Sequence, residues 1–243
     1  MKHSMQLILT PDQGKELIAR AVVAREDVQT AMKENRLVVV AGTTNAHVAR
    51  LVLEQLGCAE GFCADGFMRG AVKPAGKNAG EFIGDVIIEK GVYLKGKTIA
   101  DIGDTLGHGD VILKGANALD LATGETAVLI GSPVLGTAGF ALRAAVGRKA
   151  KLLVPVGVEK RIGTTMAKAA ALANDPGHAG PGLLPLPGEA LTEIDALKAL
   201  LGVQATLMAA GGIWGCEGAA VFAVEGTEEQ LAACRALAKE LQG

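Results

Sequence analysis

Between the apolar run Leu37-Val38-Val39-Val40-Ala41 and a segment with apolar residues at helical spacing, Ala46 to Leu56, the chain carries Gly42-Thr43-Thr44-Asn45. Residue types of this kind at the start of a helix suit one chemistry, the holding of an anion. The first turn of a helix offers N–H groups that have no intrahelical acceptor, together with the positive end of the helix dipole. Gly42 lets a ligand approach the backbone, and the hydroxyls of Thr43 and Thr44 and the amide of Asn45 add donors for phosphate oxygens. The competing role is an ordinary helix cap by Thr44 or Asn45. Three consecutive donor side chains exceed what a cap requires. His47, in the first helical turn, could reach the same edge as an acid or base.

A second constellation lies further on. A strand over Asp110 to Gly115 leads into Ala116-Asn117-Ala118-Leu119-Asp120, and Ile130-Gly131-Ser132-Pro133-Val134-Leu135-Gly136-Thr137 opens a helix running to about Val146. Two strand ends and two helix starts could converge on one cleft, which adds Lys114, Gly115, Asn117, Gly131, Ser132, Gly136 and Thr137 to the ligand-binding candidates. Candidates for chemistry are Asp104, Asp120 and Lys160. Either aspartate could serve as a general base, and Lys160 could bind phosphate or polarise a carbonyl. Their ordinary alternatives are a cap for Asp104, a turn for Asp120 and a solvated charge for Lys160. His108, near Asp104 and Asp110, is the least poor metal candidate, but no convergent ligand set accompanies it, so no metal is expected.

These residues need elements to position them. Thr10-Pro11-Asp12-Gln13 reads as a capping box opening a helix to about Val23, followed by a second helix to about Asn35. Leu37–Ala41, the Asp110 stretch and Lys151–Val156 are buried strands alternating with helices, and short strands are expected at Asp85–Ile88 and Val92–Leu94. That alternation predicts an α/β fold with an open, mostly parallel, Rossmann-like sheet covered by helices over residues 1–175. Proline and glycine crowd Asp175-Pro176-Gly177-His178-Ala179-Gly180-Pro181-Gly182, where a boundary is placed. Beyond it, an extended stretch at Leu183–Leu186, a helix Ala190–Leu201, strands Val203–Ala209 and Ala219–Glu225, and a helix from the capping box Thr227-Glu228-Glu229-Gln230 to Leu241 predict a small α+β lobe over 183–243. The glycine-rich Gly211–Gly218 segment, with the sole tryptophan, is read as a long hairpin loop.

Composition narrows the function classes. With 243 residues, 49% hydrophobic and 3% aromatic, the chain can bury a full core of small aliphatic residues. A net charge of -2 gives no footprint for nucleic acid or a membrane surface. No apolar run is long enough to span a bilayer, the N-terminal run is too short for a signal sequence, and the four cysteines have no paired spacing. The expectation is therefore a cytoplasmic protein whose partners are small molecules or other chains, including copies of itself.

The motif order resembles the superfamily of ribose 5-phosphate isomerase, glucosamine 6-phosphate deaminase, CoA transferases and the initiation factor 2B-related sugar-phosphate isomerases. Ala41-Gly42-Thr43-Thr44-Asn45 looks like their phosphate loop, and Val111-Ile112-Leu113-Lys114-Gly115-Ala116-Asn117 like their strand ending in Gly-Ala-Asp. A glycine-rich helix start, Leu153-Val154-Pro155-Val156 with Glu159-Lys160, and a small ferredoxin-like lobe follow in the same order. The resemblance implies a sugar phosphate, nucleotide or CoA compound as ligand, in an isomerase-like or transferase-like enzyme, with no cofactor. Asn117 and Lys114 stand where the isomerases keep aspartates. Asn117 cannot ionise and would orient substrate, which leaves any general base to Asp120 or Asp104. A non-catalytic sensing or assembly protein that kept the cleft, and a structural subunit, are the other readings.

Overall fold

Thr10 opens the first helix because two backbone donors find side-chain acceptors there. Its hydroxyl accepts from the Gln13 N–H at 3.3 Å, the Gln13 side chain accepts from the Thr10 N–H at 2.9 Å, and Pro11 has no N–H to leave unpaired. Thr192 and Thr227 form the same reciprocal arrangement with Asp195 and Gln230 at two later helices. The computed structural model describes residues 3–73 and 81–242. In chain order, strand β1 (His3–Leu9) precedes helices α1 (Pro11–Ala24) and α2 (Glu26–Glu34), then β2 (Arg36–Val39) and α3 (Thr43–Gln55). Next come β3 (Val86–Glu89), β4 (Val92–Tyr93), α4 (Ile99–Ile102), β5 (Val111–Leu113), β6 (Ala118–Leu119) and β7 (Thr126–Ile130). Helix α5 (Gly136–Leu142) runs into a π-helical turn at Arg143–Gly147, and is followed by β8 (Lys151–Pro155), α6 (Met166–Ala173), β9 (Gly182–Leu186) and β10 (Glu189–Leu191). The chain finishes with α7 (Glu193–Leu201), β11 (Gln204–Ala210), β12 (Ala220–Gly226) and α8 (Glu228–Glu240).

The central sheet has six strands in the order β10-β8-β5-β2-β3-β4. Its first three pairings are parallel and the last two antiparallel, so the α/β sheet is mixed. Period-two alternation assigns its faces. Leu37, Val39, Leu113 and Leu153 pack with Ile18, Val28, Val48 and Val52 of α1 to α3, whereas Val38, Val40, Ile112, Leu152 and Val154 pack with Ile99, Ala138 and Ala141 of α4 and α5. A small antiparallel sheet, β6-β7-β9, adds Val128 and Leu186 to the second face.

The C-terminal lobe differs from the expected one. Its extended stretch, β9, pairs with β7 instead of entering the lobe, and Ala190 and Leu191, expected to open a helix, belong with Glu189 to β10 on the edge of the central sheet. The vacant place is taken by the N-terminal β1, giving the sheet β1-β12-β11. Met5, Leu7 and Leu9 alternate with polar or exposed residues, so β1 puts an apolar row against α1, α7 and α8 around Phe222. Helix α1 thereby serves two cores, with Ile18 and Val22 in one and Leu17 and Ala21 in the other. No helix among the described residues is long and apolar enough to cross a membrane.

Phe222 is fully buried where β12 meets these three helices. Phe222→Ala is expected to cost about 3–5 kcal/mol, read as a fall in the urea midpoint with the slope unchanged.

Candidate functional site

Strand β2 ends and α3 begins within a few residues, so the start of α3 lies at the carboxyl edge of the sheet. Gly42, the residue before the helix, is extended (φ 170°, ψ 164°), and no side chain caps the helix. The first backbone bond is from the Ala46 N–H to the Gly42 carbonyl at 2.8 Å. The N–H groups of Gly42, Thr43, Thr44 and Asn45 have no acceptor among the described residues. These are the donors a bound anion would use.

A cavity of about 520 Å³ opens in front of them. It is lined by Gly42, Thr43, Thr44, Asn45, Lys114, Gly115, Asn117, Gly131, Ser132, Gly136 and Thr137, together with Lys160. The two strand ends and two helix starts therefore converge. Individual side chains differ from their expected roles. The Asn45 amide is spent on the fold, since its Nδ2 donates to the carbonyls of Val40 at 2.7 Å and Leu113 at 3.0 Å, clamping β2 to β5, while its Oδ1 is buried without a partner among the described residues. Asn117, which lines the cavity, uses its Oδ1 to accept from the Leu129 N–H at 3.0 Å, while its Nδ2 has no acceptor among the described residues. Thr44 accepts a hydrogen bond from Lys160 Nζ at 3.5 Å.

The proposed bases are elsewhere. Asp104 is exposed and pairs with Arg143 at 3.2 Å, and Asp120 accepts from the Ala122 N–H at 3.0 Å in a turn; neither lines the cavity. His47 faces α1, with Nδ1 3.0 Å from Glu16 and Nε2 3.3 Å from Asp12, and is not on the cavity wall. Among the described residues the carboxylate that does line it is Asp85, expected from the sequence only as the start of a strand. Asp85 is 1% exposed and accepts from the N–H groups of Ala41 at 2.9 Å and Ile99 at 2.7 Å. Burial raises its carboxyl above the usual range, against the pull of those two N–H groups, Lys114 and Arg69. Arg69, stacked 3.5 Å from the Phe82 ring centre, and Thr98 were also missed.

The two lysines are set apart by their surroundings. Lys114 is 9% exposed, and its ammonium has neither hydrogen bond nor ion pair among the described residues. Burial pushes it down to about 8, Lys160 pushes the same way, and Asp85 opposes both. Lys160 is also lowered by burial, but Glu159 and Glu193 favour its charged form. Among the described residues no three His, Cys, Asp or Glu side chains gather as a metal site.

Asn45→Asp would turn a carboxylate toward two carbonyl oxygens and remove their donor. It is expected to cost roughly 2–4 kcal/mol in urea unfolding, far more than a surface substitution. Glu193 gives a pH signature next to Lys160. Its carboxyl, which accepts from the Val158 N–H at 2.9 Å, is pushed up to about 7 by burial. The folded state therefore binds this proton more tightly than the unfolded one, and the stability it contributes is complete below about pH 4.5 and lost as pH rises through about 7. The loss is on the order of 3 kcal/mol. Glu193→Gln, measured across that window, is expected to remove this part of the slope.

No protein-family model, curated protein or solved structure matches this chain.

Proposed function

We propose that the cavity binds a phosphorylated small metabolite, a sugar phosphate, nucleotide or CoA compound, and that the chain is an enzyme acting on it. The observation that carries the reading is a set of four adjacent N–H groups, unpaired among the described residues, at the start of a 13-residue helix whose first residues line a cavity with the buried Lys114 and the half-buried Lys160. In this reading the phosphate lies on Gly42 to Asn45, with Lys160 beside it through Thr44, and the rest of the ligand reaches toward Lys114 and Asn117. The parallel strands β2, β5 and β8, with ligand groups at their carboxyl ends, support a Rossmann-like description of that half of the sheet. The order of motifs supports a divergent member of the ribose 5-phosphate isomerase and CoA transferase superfamily.

One observation favours a second reading, a sensor that binds without turnover. Asp85 is the one carboxylate among the described cavity residues, and both of its oxygens already accept backbone N–H groups. Formation of product from any stabilising ligand would eliminate the sensor.

Gly42 supplies a clean test of binding. Apart from its two chain neighbours, a Cβ there meets no atom of the described residues within 4 Å, and the extended backbone suits any residue. Gly42→Val should fold as stably as the parent while filling space that the ligand needs. Inorganic phosphate and sugar phosphates at about a hundred times their Kd should stabilise the parent by about 2.7 kcal/mol and the variant by much less. Equal stabilisation of both proteins, or of neither, would remove the loop from the binding site.

A further inference from the structure

Resting on the anion-cradle reading, we propose that Lys114 is a covalent nucleophile, forming an imine with the carbonyl carbon of a phosphorylated aldehyde or ketone held in this cavity. Its position carries the inference. Lys114 follows β5 at the carboxyl edge, lines the same cavity as Gly42 to Asn45, and is nine-tenths buried without a hydrogen bond or ion pair among the described residues. Lys114 makes no ion pair with the cavity's carboxylate. Asp85 instead spends both oxygens on the Ala41 and Ile99 N–H groups and lies beyond ion-pair distance. The neighbouring lysine takes the other duty, since Lys160 is hydrogen-bonded to Thr44 of the loop, where burial lowers it against the pull of Glu159.

An amine must be neutral to attack a carbonyl, and desolvation beside another cation is the usual means of making it so. Burial and, more weakly, Lys160 act on Lys114 in that direction, against the pull of Asp85. The step balances without any oxidant or reductant. The Nζ lone pair forms a C–N bond as the carbonyl π pair moves to oxygen, giving a carbinolamine. The two protons of the neutral amine then end on that oxygen, the C–O bond breaks, and one water leaves as the C=N bond forms. Asn117 lines the same cavity, and its Nδ2, without an acceptor among the described residues, is a donor for the carbonyl oxygen. This chemistry needs no carboxylate base for its first step, and so fits a cavity from which Asp104 and Asp120 are absent.

The probe is glyceraldehyde 3-phosphate with cyanoborohydride, which reduces imines in the presence of aldehyde, followed by peptide mapping; glyceraldehyde is the control. Labelling should concentrate on Lys114, exceed that by glyceraldehyde at least about tenfold because the phosphate holds the carbonyl in place, and fall when inorganic phosphate is added. Lys114→Met should lose this adduct while keeping its unfolding midpoint and its stabilisation by phosphate. Labels scattered over surface lysines, with phosphate still stabilising the protein, would overturn the imine and leave the anion cradle standing. Labelling of Lys114 at equal rates by both aldehydes would overturn the phosphorylated substrate class. Absence of both phosphate stabilisation and Lys114 labelling would overturn the cradle and the imine together.

Discussion

A carboxylate with almost no access to water ties the candidate site together. Asp85 accepts the N–H of Ala41, the last residue before the loop, and the N–H of Ile99, the first of α4, so one side chain fixes the approach to α3 from across the sheet. Burying that charge is costly unless it is hydrogen-bonded and has opposite charge nearby. The two N–H groups supply the hydrogen bonds, Arg69 acts on it from a distance, and Lys114 adds to that only when protonated. The same arrangement that makes Asp85 tolerable leaves the Lys114 amine unclaimed, and the Asn45 clamp between β2 and β5 keeps the loop and Lys114 in fixed relation.

Support for the site reaches outward through α1. This helix packs on α3 and α7 at once, and the absence of a side chain at Gly14 makes room for Glu193, whose Oε1 lies 2.5 Å from where a Cβ would stand. Glu16 on α1 accepts from Arg50 of α3 at 2.7 Å and lies 3.0 Å from His47. His47 is thus used to hold α3 in place, one turn behind the N–H groups that face the cavity.

Much of this was legible because it is local. Capping boxes at Thr10 and Thr227, the β-branched run closed by Gly42, and the glycines at strand ends each act within a few residues, and the loops they mark do meet in one cavity. What escaped depends on distant partners. Asp85 is separated from both Ala41 and Ile99, and an aspartate ahead of a strand carries no mark of burial. Asp104 and Asp120 look the same in sequence, yet one is exposed and the other serves a turn. The alternation of Met5, Leu7 and Leu9 was readable as a strand, but only its pairing with β12 reveals that it replaces residues 183–186 in the C-terminal lobe. Residues 126–130 are apolar and β-branched enough for a strand, and were missed between more conspicuous glycines.

The partnership of β1 with β12 has a consequence for biosynthesis. A ribosome releases β1 early and β12 only after every strand of the six-stranded sheet has emerged, and domains tend to fold in that order. The cleft around Gly42 and Lys114 can therefore assemble while β1 is still without its neighbour. Closing that long gap is slow in proportion to the chain entropy it removes. In the interval, β1 offers bare edge hydrogen bonds and an apolar row to whatever is near, so it stays unprotected while the six-stranded sheet forms.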